Sequence, residues 1–222
     1  MAKESLKYLL ERTTLFGTLA RFQRTRQLAK KFRRWEKNGA IAPMPNFGKQ
    51  QVVINYIKKF SPGVFIETGT YKGKMVYAVM PHMKEIYSIE LDQMYFEKAK
   101  RRFAGYHNIH IIQGQSGEIL PKVLVNIEKP CLFWLDAHWS EGSTAKGQTN
   151  TPILQELQCI LNHRGAEEHI ILIDDAFLFV GEDDYPTLQA LEHLVLAFHP
   201  SWVFEVKDDI IRTHSGRRCA DG

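Results

Sequence analysis

Cysteine is scarce in this chain: Cys131, Cys159 and Cys219 are the full set among 222 residues. They are odd in number, widely spaced and form no C-x-x-C pair, which excludes a disulfide framework and a thiolate zinc site and leaves reduced, structural thiols as the expectation. No uninterrupted apolar run approaches the roughly 18 residues that a membrane span requires. The first residues carry neither the short apolar block nor the small-residue cleavage site of a secretory signal, so a soluble, cytoplasmic protein is expected. No segment repeats at a fixed period. The dinucleotide fingerprint G-x-G-x-x-G is missing, which argues against NAD, and so is the N-P-P-Y type of motif used on flipped bases.

Charge is present but unevenly spread. Residues 1–40 hold 11 Lys and Arg against 3 Asp and Glu, leaving 18 basic and 22 acidic groups for the rest. The formal net charge of +4 therefore hides a basic segment and an acidic body. Leu6, Leu9, Leu10, Phe16, Leu19, Phe22, Leu28, Phe32 and Trp35 recur at loosely helical spacing among Arg21, Arg24, Arg26, Lys30, Lys31, Arg33 and Arg34, so one or two basic amphipathic helices are predicted over residues 1–45. Capping the active site or pairing subunits in a homodimer is the favoured role. Peripheral contact with an anionic membrane and contact with nucleic acid are the alternatives, and the acidic body speaks against a nucleic-acid partner.

After Pro43 and Pro45 the pattern changes to alternating strands and helices. A helix is predicted over 48–59, strands over 64–66, 86–89, 108–112, 131–135 and 170–173, and helices after Gly73, from Asp92, and over 118–127, 151–161 and 187–198. Near-continuous apolar strands in βα units imply a parallel sheet covered on both faces, with ligands at the carboxyl ends of the strands. The last two strands, 202–206 and 210–213, are joined only by Lys207-Asp208-Asp209, too short for a parallel crossover but right for a hairpin. The expected fold is α/β: a Rossmann-like, mostly parallel seven-stranded sheet with a C-terminal antiparallel hairpin and an N-terminal helical extension. The core domain is expected over 46–214, with a disordered tail over 215–222.

The most informative stretch is Glu67-Thr68-Gly69-Thr70-Tyr71-Lys72-Gly73, directly after Val64-Phe65-Ile66. It reads as a buried strand ending in a glycine-marked turn before a helix. A carboxylate at the strand tip can hold a cationic amino group, while Gly69 and Gly73 let the backbone approach a ligand. That acidic variant of a nucleotide-site turn points to S-adenosylmethionine. Glu90, about twenty residues on at the end of the next strand, stands where nucleotide-binding α/β folds bind ribose hydroxyls. Two further strands end in carboxylates, Asp136 after the fourth and Asp174-Asp175 after the fifth. Acids converging there need a compensating charge, and oxygen-only ligation suits a hard divalent ion such as Mg²⁺.

On these motifs the chain resembles the metal-dependent O-methyltransferases, of the catechol and macrocin type, from Phe47 to Thr213. The resemblance implies that Glu67 and the backbone from Gly69 through Thr70 and Tyr71 to Gly73 hold the methionine portion. It implies further that Gln115 and Ser116 border the adenine and that Asp136, Asp174 and Asp175 hold the metal; Asp136 is counted with the cofactor residues as well. One departure concerns the base. The catechol enzymes carry lysine three positions after the first metal Asp, where this chain has Trp139. His138 is then the nearest candidate for a general base, with metal ligand and structural histidine as its other readings. Residues 140–150, rich in small polar groups, are expected to form a mobile lid, and Glu182-Asp183-Asp184-Tyr185 leans toward a hydroxylated, sugar-like acceptor rather than a flat phenol. Two rival classes stand beside the transferase: an iron-dependent, hydroxylase-like enzyme on the same sheet, and a non-catalytic module that binds through its basic helices.

Overall fold

The structure, a computed structural model, describes residues 15–136 and 151–216, with side chains of the first helix described from Arg26 onward. His138, Trp139, the expected lid over 140–150 and Cys219 lie outside the described residues. The chain divides into two compact units between Lys49 and Gln50.

Among the described residues of the first unit, α1 (Leu15–Lys37) carries the basic residues from Arg21 to Lys37. Gly39 and Ala40, at φ of 90° and 53°, turn the chain after it, and the Trp35 indole N–H donates to the Ile41 carbonyl at 2.6 Å. Phe32 stacks on Trp35 and meets Phe47 edge-on. A Cβ at Gly48 would lie 2.4 Å from the Phe32 ring, so glycine is what admits this contact. Helix α2 (Asn46–Phe60) begins in this unit and runs into the second.

The second unit holds β1 (Val64–Thr68), α3 (Lys74–Val79), β2 (Ile86–Glu90), α4 (Gln93–Phe103), β3 (Ile109–Gln113), α5 (Ser116–Leu124), β4 (Cys131–Leu135), α6 (Ile153–Leu161), β5 (Ile170–Ile173), α7 (Leu188–Phe198), β6 (Trp202–Lys207) and β7 (Ile210–Ser215). The seven strands form one sheet in the order β3-β2-β1-β4-β5-β7-β6. β1 to β5 are parallel, and β7 runs against both β5 and β6. The expected mostly parallel sheet with a terminal hairpin is present. Every residue of β1, β4 and β5 is buried, as their unbroken apolar runs require. The edge strand β6 is mostly exposed beyond Trp202.

The boundaries shift in an informative way. β1 and β2 each run past their apolar residues, because Glu67, Thr68 and Glu90 still pair in the ladder. α5 begins at Ser116 rather than Glu118, with Gln115 as its N-cap residue, and β7 continues through Ser215, one residue into the stretch expected to be tail. Asp92 and Thr187 cap α4 and α7 by accepting from the Tyr95 and Ala190 amides. The β6–β7 turn is Asp208-Asp209, both at positive φ, which is the geometry a two-residue hairpin requires. Because β1 has β2 on one side and β4 on the other, the strand order reverses there, and a crevice opens at the carboxyl ends of these strands.

Candidate functional site

The turn after β1 is laced to β2. Gly69 and Thr70 donate backbone N–H bonds to the Ile89 carbonyl, and Gly73 donates to Thr70. Gly69, Tyr71 and Gly73 all have positive φ. At Gly73 a Cβ would meet the Phe103 ring at 2.8 Å, so glycine there serves both the turn and the close approach of α4. The exposed Tyr71 ring meets Tyr95 edge-on at 4.6 Å, with the Lys72 ammonium 4.7 Å from its centre.

Glu67 is 1% exposed. Ser88 donates to its Oε1 at 2.6 Å, and the Thr70 hydroxyl hydrogen-bonds Ser88 in turn. Burial outweighs the Ser88 bond, and Asp136 and Glu90 add like charge, so the Glu67 carboxyl is pushed up to about 8. Glu90 takes a different course. Its two oxygens accept from the backbone N–H of Tyr71 at 2.6 Å and of Asp92 at 2.8 Å. Burial still raises its pKa, with those amide bonds pulling the other way. A carboxylate offers about four lone-pair sites, so Glu90 can accept from a further donor. Past β3, Gly114 donates to the Glu90 carbonyl, and Gln115 and Ser116 follow at the start of α5. The candidate residues Glu67, Gly69, Thr70, Tyr71, Gly73, Glu90, Gln115 and Ser116 thus belong to the ends of β1, β2 and β3.

The second half of the crevice lies at the ends of β4 and β5. The Asp136 amide donates to the Thr68 carbonyl at 3.1 Å and the Asp174 amide to Leu135 at 3.0 Å, so both residues leave the sheet in register with β1 and β4. Asp174 Oδ1 accepts from the Asp175 amide at 2.9 Å. Asp175 sits in the left-handed region at φ 51°, where Asp is more tolerant than most residues. The next two residues are clipped to the distant hairpin turn: Ala176 donates to the Asp209 carbonyl and Phe177 to the Asp209 carboxylate, each at 3.0 Å. One carboxylate oxygen from each of Asp136, Asp174 and Asp175 lies within 4.8 Å of the other two. This donor set, all hard oxygen, fits a divalent cation of the magnesium type.

A cleft open to solvent adjoins the three carboxylates. Apolar walls from Leu135, Ile153, Ile173, Leu178 and Phe179 meet the polar groups of Thr151, Glu156 and Tyr185 there. Glu182, Asp183 and Asp184 are exposed while Tyr185 turns inward to line the cleft. Burial, with Asp175, Asp136 and Glu156 nearby, pushes the Tyr185 hydroxyl up to about 12.

Glu156 is the residue that sequence reasoning missed. It is 1% exposed, and burial raises its carboxyl to about 7, with Asp136 adding to the effect. The Ser116 and Thr68 hydroxyls lie near enough to favour its charged form, yet Oε1 is buried without a hydrogen-bond partner of good geometry. A signal was present: Glu156 interrupts the stripe Ile153, Leu157, Ile160 that α6 buries. Ser88, the polar break in the apolar run of β2, carried the same kind of signal.

No family model matches the sequence, and no curated protein matches it either. Solved structures do. The SAH-bound methyltransferase PaMTH1 of Podospora anserina is 17% identical, with 96% of this chain and 95% of that chain covered and a TM-score of 0.56. A putative caffeoyl-CoA O-methyltransferase from Staphylococcus aureus is 14% identical over 96% of this chain and 98% of that one, with a TM-score of 0.54. The O-methyltransferase TomG of Streptomyces achromogenes, in complex with SAM, is 15% identical over 85% and 89%, also with a TM-score of 0.54. The fold is the one these methyltransferases share. At such identities the likeness establishes the architecture, with its crevice at the strand ends.

Proposed function

We propose that this protein transfers the methyl group of S-adenosylmethionine to a hydroxyl oxygen of a small hydroxylated acceptor, sugar-like or phenolic. A divalent cation, magnesium in first place, would be held by Asp136, Asp174 and Asp175. One observation carries the reading: a glycine turn with two buried acids on β1 and β2 shares a crevice with three close carboxylates on β4 and β5. The Asp136–Thr68 backbone bond ties the two halves together. The likeness to O-methyltransferases, one in complex with SAM, supports the same reading.

When bound, the cofactor supplies an electrophilic methyl group and the cation a field that lowers the pKa of a nearby hydroxyl. The chain's own part is to position and to hold protons. Glu67, raised to about 8, is largely protonated at neutral pH and ionises when a cationic amino group lies beside it. Glu90, fixed by two amides, accepts ribose hydroxyls without moving, and Gln115 and Ser116 border the adenine. The apolar walls of the cleft would border the acceptor beside the three aspartates. Much of the rate then comes from holding donor and acceptor at near-attack distance. His138 is the proposed base for the hydroxyl proton.

Methyl transfer assayed in EDTA, and again after Mg²⁺ is restored, tests the cation. Loss and recovery of activity is expected; full activity in chelator takes the three aspartates out of that role. Titration calorimetry with S-adenosylmethionine tests the cofactor separately, and no binding heat in any buffer would remove the transferase reading.

A further inference from the structure

The basic segment has no part in the chemistry above, and α1 arranges it in a specific way. Arg26, Lys30, Arg33, Arg34 and Lys37 fall at i, i+4, i+7, i+8 and i+11 of one helix and are all exposed. At 3.6 residues per turn those positions share one face, a straight stripe of about 16 Å at ~1.5 Å per residue. The one acid among residues 26–37, Glu36, falls off that face. The opposite side of the helix is engaged within the first unit: Phe32 packs against Phe47 and Gly48, and Trp35 is hydrogen-bonded to Ile41. The cations are therefore turned outward by contacts on the other face, and the stripe binds by charge rather than by burying apolar surface of α1.

We propose that this stripe docks the protein on an anionic lipid surface. A planar array of headgroups matches a straight row of cations, whereas duplex phosphates follow a curved path. Holding single-stranded bases also draws on aromatic rings for stacking, and the stripe has none. Each Lys or Arg close to an anionic bilayer strengthens binding roughly fivefold. Docking of this kind brings an enzyme to an acceptor carried in or near the membrane, and it stands whether or not the transferase reading does.

The test is co-sedimentation of the full chain with phosphatidylcholine vesicles, with and without about one-third phosphatidylglycerol. Binding to the anionic vesicles alone, falling steeply with salt, is expected. Joint replacement of Arg26→Gln, Lys30→Gln, Arg33→Gln, Arg34→Gln and Lys37→Gln is expected to lower partitioning by at least about a hundredfold. The charge-conserving set Arg26→Lys, Arg33→Lys and Arg34→Lys keeps it. Equal binding to neutral vesicles, indifference to salt, or retention by the five-fold variant within about twofold of the parent overturns the proposal. So does tighter retention on double-stranded RNA than on anionic vesicles at equal salt, which assigns the stripe to nucleic acid. Should the five-fold variant fail to fold, the vesicle and salt comparisons on the parent chain decide alone.

Discussion

The two halves of the crevice treat their carboxylates differently. At the ends of β1 and β2, each acid is enclosed by donors from its own chain: Ser88 for Glu67, the Tyr71 and Asp92 amides for Glu90. At the ends of β4 and β5, three aspartates crowd within 4.8 Å of one another, beside a fourth, buried acid with an unmatched oxygen. The first half is organised before any ligand arrives. The second accumulates negative charge, and a cation is what its geometry suits. In one crevice, local hydrogen bonding fixes the acids of one half while like charge gathers in the other.

Substitutions that separate binding from turnover would break or sharpen this contrast. The largest effect is expected for Asp174→Asn, which removes one anionic oxygen from the cation half. Methyl transfer should fall by roughly a thousandfold, in keeping with several kcal/mol of metal assistance, while S-adenosylmethionine affinity measured by calorimetry stays near that of the parent. Equal loss of affinity and turnover would merge the two halves into one. Next comes Glu90→Gln. Losing a charged acceptor that also pins the Tyr71 turn should weaken S-adenosylmethionine binding by roughly tenfold to a hundredfold, about 1.5–3 kcal/mol. With saturating cofactor, kcat should be largely restored.

The remaining effect is a gradual one, a slope of stability against pH. Glu67 carries a pKa of about 8 in the fold against 4.5 for the ordinary group. Between those values the folded chain holds a proton that the unfolded chain has released. Its contribution to stability is present below about 4.5 and is lost as pH rises through about 8, by at most about 1.4 kcal/mol per pH unit. Urea unfolding across that range should show the loss in the parent and a shallower profile in Glu67→Gln. The comparison is made as a difference because His169, which burial holds down to about 3, works in the opposite sense as pH falls below its ordinary 6.5. Identical profiles for parent and variant would show that Glu67 does not carry the proton.

The contrast also explains what could be read from the amino acids. The turn at 67–73 was legible because its chemistry is local: an acid, two glycines and a following helix within seven positions. Asp136, Asp174 and Asp175 were legible as strand ends, since each comes after a continuous apolar run. Glu156 shows locally only as a polar break in the buried stripe of α6, because its role arises where α6 meets Thr68 and Ser116, and no local pattern encodes that meeting. Nor did sequence spacing reveal that Asp209 clips the residues after Asp175, a contact spanning more than thirty positions. β1 and β2 extend beyond their expected ends for a related reason. Glu67, Thr68 and Glu90 are polar and follow the apolar runs, yet the backbone ladder carries them.

That clip from Asp209 to Ala176 and Phe177 has a temporal meaning. A chain emerging from the ribosome from its N-terminal side offers the turn at 67–73 and Glu90 early. The segment behind Asp175 gains its anchor only once β6 and the turn to β7 have been synthesised and the hairpin has closed. The turn at 67–73 and Glu90 thus precede, in order of synthesis, the anchoring of the aspartate half of the crevice, and a nascent chain halted ahead of residue 209 would carry the one without the other.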